Sequence, residues 1–255
     1  TDVPPKKNKA WGSIIAAIVV VGFGIYGNLD SNNIDKNNDA VANMNSGNTE
    51  MAIEQLTEAK NSMMDKDNKI NTLKNLAYAY YTEGEIDSAL QAFNEALALC
   101  DKNSFDYYLI AGEIDLLLYD PAGALENFTQ AEIINPDDYQ LNNTLALFYI
   151  DVDEIAPAYV DYQKGLSYAQ KAYELDQSEI TKQNLAMAYF FTDNFDKTIE
   201  LLESSDISKH PYAAFWIGLA YAGKEDPAKA IIYFQKALDN GADLPQEILD
   251  YMAGN

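Results

Sequence analysis

From Ile70 onward, small and large apolar residues recur on a fixed schedule. A small residue is followed three positions on by an aromatic one, nine further by a second small residue, four further by a large apolar one and three further by a third small one. Ala77, Tyr80, Ala89, Phe93 and Ala96 meet this schedule, and Gly112, Asp115, Ala124, Phe128 and Ala131 follow it next. Then come Ala146, Tyr149, Gly165, Ala169 and Ala172; Ala186, Tyr189, Thr198, Leu202 and Ser205; and Gly218, Tyr221, Ala230, Phe234 and Ala237. The leading small residues stand 35, 34, 40 and 32 residues apart. Steps of three and four place residues on one face of a helix. The step of nine crosses a turn, as at Thr82-Glu83-Gly84-Glu85 and Tyr119-Asp120-Pro121. Each period therefore predicts two antiparallel helices whose small residues allow close approach. Neither helix buries its apolar face alone, so the pairs must stack.

The departures from the schedule carry information. Asp115 stands where the other units have Tyr, and Thr198 and Ser205 replace alanine in the fourth unit. In the third unit the gap from Tyr149 to Gly165 is 16 residues. The extra length is about two helical turns, so the sequence allows either extended helices or, with Pro157 inside, a longer loop. Its Asp151, Asp153 and Glu154 lack the ligand spacing of a calcium loop and read as a solvated acidic loop. Pro136 ends the second unit and Pro211 opens the fifth. Thr49 to Ser62 reads as a second helix through Ala52, Leu56 and Ala59, with only the Asn-rich stretch before it as a poorly fitting partner. The repeat region is thus 49–244, divided at about 49–69 (partial), 70–104, 105–138, 139–178, 179–210 and 211–244. Asn240-Gly241 stops a helix, and 245–255 forms a capping helix of the kind an open repeat end needs.

The amino end has a different pattern. Residues 10–27 carry no charge over 18 positions, with Trp11 and Tyr26 flanking Ile14, Ile15, Ile18, Val19, Val21, Phe23 and Ile25. That length suffices to cross a bilayer, and aromatic residues favour its interfaces. Residues 1–28 are therefore read as a tail plus a transmembrane or assembly helix. The run is longer than a signal-peptide core and no small-x-small site follows it, which favours an uncleaved anchor. It is apolar all round, which argues against a core helix with one polar face. Lys6, Lys7 and Lys9 precede it and Asp30, Asp35 and Asp39 follow it, so the tail belongs in the cytoplasm and the remainder at the cell surface or in the periplasm. Residues 29–48, rich in Asn and Asp, form a linker or a helix extension with Ile34, Val41 and Met44 at helical spacing.

Composition narrows the function classes. The net charge of −23 repels nucleic acid and anionic lipid. All 17 basic residues are Lys, so the guanidinium fork that grips phosphate is missing. With one Cys (Cys100) and one His (His210), the chain has neither an internal disulfide nor a Cys/His zinc site. Cys100 reads as a small buried hydrophobe, and His210, just before Pro211, as a residue at a helix boundary. No phosphate loop, metal cluster or acid–base motif stands out, so no cofactor and no enzymatic activity are expected.

The spacing, best seen in LKNLAYAYYTEGEIDSALQAFNEALAL and WIGLAYAGKEDPAKAIIYFQKAL, resembles the tetratricopeptide repeat over residues 70 to about 240. Together with the apolar amino segment, it looks like a membrane-anchored bacterial-type protein of that family. The resemblance implies an all-α fold, an α-solenoid of about five helix pairs, whose first helices line a binding groove. Carried over position by position, that groove takes Asn71, Lys74, Tyr78 and Tyr81, then Leu109, Glu113 and Leu116, then Asn143, Leu147 and Ile150. It continues through Gln183, Met187 and Phe190 to Tyr212, Phe215 and Leu219. Only Lys74, Asn71 and Asn143 fit the family's carboxylate-holding pattern, so the groove reads as apolar. The expected function is a non-enzymatic scaffold for a protein or peptide, held at a membrane through residues 10–27. The alternative is a self-assembling subunit of an extracellular filament or ring, with the apolar helix packed between copies of the chain.

Overall fold

The computed structural model describes residues 37, 39, 40, 43, 44, 48–62, 65–151 and 154–254. The apolar run 10–27, with the hydrophobic helix expected there, lies outside the described residues. Among the described residues there is no strand, and no helix is long and apolar enough to cross a membrane. From Thr49 the helices are α1 (Thr49–Ser62), α2 (Lys66–Thr82), α3 (Ile86–Leu99), α4 (Phe105–Leu117), α5 (Pro121–Ile134) and α6 (Tyr139–Ile150). They continue as α7 (Tyr162–Leu175), α8 (Glu179–Phe191), α9 (Phe195–Leu202), α10 (Pro211–Gly223), α11 (Pro227–Asp239) and α12 (Gln246–Gly254). The all-α, repeat-built fold class expected from the spacing is what the described residues adopt. The chain divides into two compact bodies that meet in sequence between Leu141 and Asn142.

In the amino-terminal body, α2 packs on α3 and α4 on α5, and α1 and α3 pack on the first helix of the following pair. The scheduled small residues Ala77, Ala89, Ala96, Ala124 and Ala131 are fully buried, and Phe93 and Phe128 fill the space between them. In the carboxy-terminal body, α10 packs on α11 and α8 on α9, with α7 against α8 and α12 closing on α11. A Cβ added at Gly218 would lie 2.6 Å from the Phe234 ring, and one at Gly112 would lie 2.4 Å from the Phe128 ring. The scheduled phenylalanine thus seats directly on the leading glycine.

The Asn-rich stretch contributes to this core. Its described residues Asn37, Asp39, Ala40, Asn43 and Met44 are helical, and Ala40 and Met44 are buried with Leu56, Leu73 and Leu76. Ala40, Asn43, Ala52, Leu56 and Ala59 meet the repeat schedule with Asn in the aromatic position. The substitution is complementary. Asn43 Nδ2 donates to Gln55 Oε1 at 2.9 Å, and the same pair of positions in the second repeat is Asn127 Nδ2 donating to Asp115 Oδ2 at 2.7 Å. In the third and fifth repeats those positions are stacked tyrosines, Tyr149 on Tyr168 at 5.7 Å and Tyr221 on Tyr233 at 5.5 Å. Asp115 is therefore a polar version of the same contact.

The turns inside repeats share a conformation. Seven residues past the leading small residue, φ is +74° at Gly84, +58° at Tyr119, +61° at Asp193 and +60° at Glu225. Only Gly adopts this left-handed region without steric cost. Second helices α5 and α11 then start with one device. Asp120 and Asp226 cap them by accepting from the Gly123 and Lys229 backbone N–H at 3.0 and 3.1 Å, and Pro121 and Pro227 occupy the first helical position. In the third repeat the helices are not extended. α6 stops at Ile150, and the insertion runs through a short 3₁₀ turn, Pro157–Tyr159, before Asp161 caps α7. Asp151 Oδ1 accepts from the Ala156 N–H at 2.7 Å, which closes the loop.

Candidate functional site

The first helices of the repeats carry an unusual burden of buried polarity. Among the described residues, fourteen polar or charged residues are buried, and eleven of them lie on first helices. They are Asn37 in the Asn-rich stretch, Thr72, Lys74 and Asn75 of α2, and Glu113 of α4. Gln140, Asn142, Asn143 and Thr144 of α6 and Thr181 and Asn184 of α8 complete the set.

Two pairs among them form a repeated hydrogen bond. Asn75 Nδ2 donates to Asn37 Oδ1 at 3.1 Å in the amino-terminal body. Asn184 Nδ2 donates to Asn143 Oδ1 at 2.8 Å in the carboxy-terminal body. In both, the donor sits two residues before the leading small residue of its repeat, and the acceptor three residues before that of the preceding repeat. Sequence reasoning singled out Asn143 but missed Asn184, Asn75 and Asn37. The recurrence of Asn at matched offsets was the available signal.

A charged cluster occupies the same face of the amino-terminal body. The Lys74 side chain is buried, with Nζ 3.6 Å from Asp106 Oδ1. Burial pulls its ammonium below the usual lysine range, against the raising influence of Asp106, Asp138 and Glu113. Tyr78 Oη donates to Glu113 Oε1 at 3.2 Å in a buried pair. Burial, then the Glu113 charge, pushes the Tyr78 phenol well above the ordinary range. Lys74 thus faces acidic groups of its own chain, and around it the face is acidic on balance.

The residues expected to line the groove fall into two sets. Lys74, Tyr78, Leu109, Glu113, Asn143, Leu147, Ile150, Met187, Phe190, Phe215 and Leu219 are buried. Leu109 and Phe215 are sealed in the core, and Phe215 lies against Trp216 and Phe234 at 5.6 and 6.0 Å. Phe190 belongs to an aromatic cluster with Phe195 and Trp216. Asn71, Tyr81, Leu116, Gln183 and Tyr212 are partly exposed. Position in the repeat explains most of the division. Residues one after the leading small residue all face into the packed layer, and so do those three before it except Gln183. Asn71 and Tyr212, six before it, keep contact with solvent. Four after it the repeats differ: Tyr81 and Leu116 are partly exposed, whereas Ile150 and Phe190 are buried.

The remaining candidate chemistry is quiet. Burial pushes the half-buried Cys100 thiol up to about 11, so it stays protonated and unreactive at neutral pH. Among the described residues no group of three His, Cys, Asp or Glu is placed to hold a metal ion.

Residues 70–103 and 185–245 match family models of the tetratricopeptide repeat. The chain is similar to that repeat family over those two segments. The first match spans α2 and α3, and the second runs from α8 to just past α11. No curated protein matches the sequence. Among solved structures, the chain is similar to the Cut9–Hcn1 hetero-tetramer of the APC/C (TM-score 0.59, 18% identity), covering 95% of this chain and 45% of that one. It therefore spans less than half of that relative. It is also similar to TTC0263, a tetratricopeptide repeat protein of Thermus thermophilus (TM-score 0.55, 18% identity, 74% of this chain and 98% of that one). PilW, a type IV pilus biogenesis factor, gives a TM-score of 0.55 at 21% identity over 71% of this chain and 82% of that one. Identities this low carry the fold alone. Tetratricopeptide repeats generally act as protein–protein interaction scaffolds rather than as enzymes.

Proposed function

We propose that this chain is a protein-binding scaffold whose contact surfaces are the first helices of each compact body. One observation carries the reading: buried polar groups are concentrated on those helices and sparse on the second helices. A repeat stack held only by packing favours apolar residues at such positions, because each buried polar group costs stability unless it is fully hydrogen-bonded. Ordering the partly exposed Asn71, Tyr81 and Leu116 in the amino-terminal body, and Gln183 and Tyr212 in the carboxy-terminal body, gives that polarity a use. The amino-terminal body offers an acidic, hydroxyl-bearing face, which suits a partner segment with donor or cationic side chains better than a bare carboxylate. Lys74, the one cation that a carboxylate clamp would need here, already faces Asp106.

Presentation from a membrane anchor at residues 10–27, with the repeats outside the cytoplasm, is the second part of the proposal. It rests on the uncharged run and the lysines before it. Alkaline extraction of membranes tests it: retention of the full chain in the pellet supports the anchor, and complete release contradicts it. For the groove, Asn71→Ala, Tyr81→Ala and Tyr212→Ala should each weaken capture of a co-purifying partner, a second copy of the chain included, with helicity unchanged. Ile133→Ala, on the exposed side of α5, should leave capture intact. Equal effects of all four substitutions would sink the assignment.

A further inference from the structure

Among the described residues, the charged side chains that are buried are Lys74 and Glu113, 1% and 4% exposed. They have opposite signs and stand on α2 and α4, the first helices of adjacent repeats in the amino-terminal body. Lys74 and Tyr78 are one turn apart on α2, and Asp106 and Glu113 are two turns apart on α4, so each pair shares a helix face. The two faces meet. Lys74 Nζ lies 3.6 Å from Asp106 Oδ1, and Tyr78 Oη donates to Glu113 Oε1 at 3.2 Å. Asp138, just before α6, brings a further negative charge toward Lys74. The other neighbours are the Cys100 thiol at the end of α3, the Tyr139 phenol of α6, and Asn37, which bonds Asn75 of α2. Lys66 and Asp101, which flank Cys100, pair with one another at 2.7 Å.

The carboxy-terminal body has no counterpart. At the repeat positions of Lys74 and Tyr78 it carries Asn143 and Leu147, Gln183 and Met187, and Phe215 and Leu219, none of which ionises. A buried ion is costly unless compensated, and neutralising one member of a buried pair leaves the other exposed to the full cost. Where carboxylates protonate, at about pH 4, Lys74 keeps its proton and loses its counter-charges. Burial already draws its ammonium below the ordinary lysine range, so the unfolded chain binds that proton more readily than the folded one. Stability of this body therefore falls as pH falls from the ordinary lysine range of about 10.4 to the lowered folded value, and falls again as the carboxylates are neutralised. Relief of repulsion among the acidic residues of the same body acts the other way in acid, which makes the sign of the effect diagnostic.

We propose that Lys74 and Glu113 form an acid-sensitive latch, which ties α2 to α4 at neutral pH and loosens the amino-terminal body, but not the carboxy-terminal one, in acid. Amide hydrogen exchange of the full chain, corrected for intrinsic rates, tests it at about pH 7 and about pH 4.5. Protection of α2 and α4 should fall at the lower pH by about tenfold relative to α10 and α11, the equivalent of one pKa unit. Lys74→Met leaves Glu113 as the buried charge, so the effect should reverse, with protection of α2 and α4 rising in acid. Lys74→Met combined with Glu113→Gln removes both buried charges and should abolish the selective loss. Parallel behaviour of the two bodies in the native chain, or a selective acid loss retained in either variant, overturns the latch. If a variant does not fold, the two bodies of the native chain still decide the question. The readout needs no partner, so it stands or falls separately from the contact surfaces proposed above.

Discussion

Single residues in this chain are explained by their partners at matched offsets in the repeat. Tyr78 and Glu113 lie 35 residues apart, as do the ion-paired Lys60 and Glu95 and Lys66 and Asp101, so one side chain meets the next repeat at the period of the sequence. Tyr78→Phe deprives the buried Glu113 carboxylate of a donor and should cost about 1–3 kcal/mol in chemical denaturation. Asp115 gives a pH test. Burial raises its carboxyl above the ordinary range, with Asp120 and Glu126 adding to the shift and the Asn127 amide opposing it. A raised folded-state value means that the group supports folding while protonated and loses that support as pH rises through its folded value. Asp115→Asn should therefore raise the melting temperature at pH 7, and the gain should vanish near pH 3, below the unfolded carboxyl range of about 3.9. A gain that persists unchanged at low pH would contradict that origin. Much of this was legible only in part. The schedule flagged Asp115 as a departure, but its compensation by Asn127 depends on which faces of two helices meet, which the spacing alone does not specify.

Helices and turns follow the schedule more closely than side-chain exposure does. Turn positions, proline starts and the stop at Gly241 could be read directly because they depend on local backbone chemistry. The insertion in the third repeat could not, since two extra helical turns and a capped loop fit the same residue count. The loop forms because Asp151 and Asp161 supply local hydrogen bonds that continuing helices would forgo. The Asn-rich stretch was harder still, because its helical phase is carried by Ala40 and Met44 among polar residues. The left-handed turn gives an element-scale prediction. Glu225→Gly removes the steric cost of φ +60° and should stabilise the chain by up to about 1 kcal/mol, whereas Gly84→Ala, at φ +74°, should destabilise it by about 1–2 kcal/mol. Thermal melts of the two variants shifting in the same direction would refute this account. Gly218→Ala should cost about 1–3 kcal/mol through its clash with Phe234, since overpacking strains a close-packed layer.

For the whole molecule, the charge of −23 and the repeat fold were both visible in the sequence. The first-helix contact residues were visible only as a set of positions, because burial depends on neighbouring helices and separates Phe215 from Tyr212 on one helix. From residue 103 to 163 the chain carries twelve acidic residues and no basic one. Such self-repulsion is screened by salt, so the melting temperature should rise between low and high sodium chloride; a salt-independent melt would show that the acidic groups are too dispersed to matter. The central claim is that partners meet the first helices. A photocrosslinking residue placed at Tyr81, Tyr212, Ile133 and Ile232 in turn tests it most directly, the first two on first helices and the last two strongly exposed on second helices. Partner adducts at Tyr81 and Tyr212 and none at Ile133 and Ile232 are predicted. Adducts of equal yield at all four positions, or only at the second-helix pair, would contradict the account.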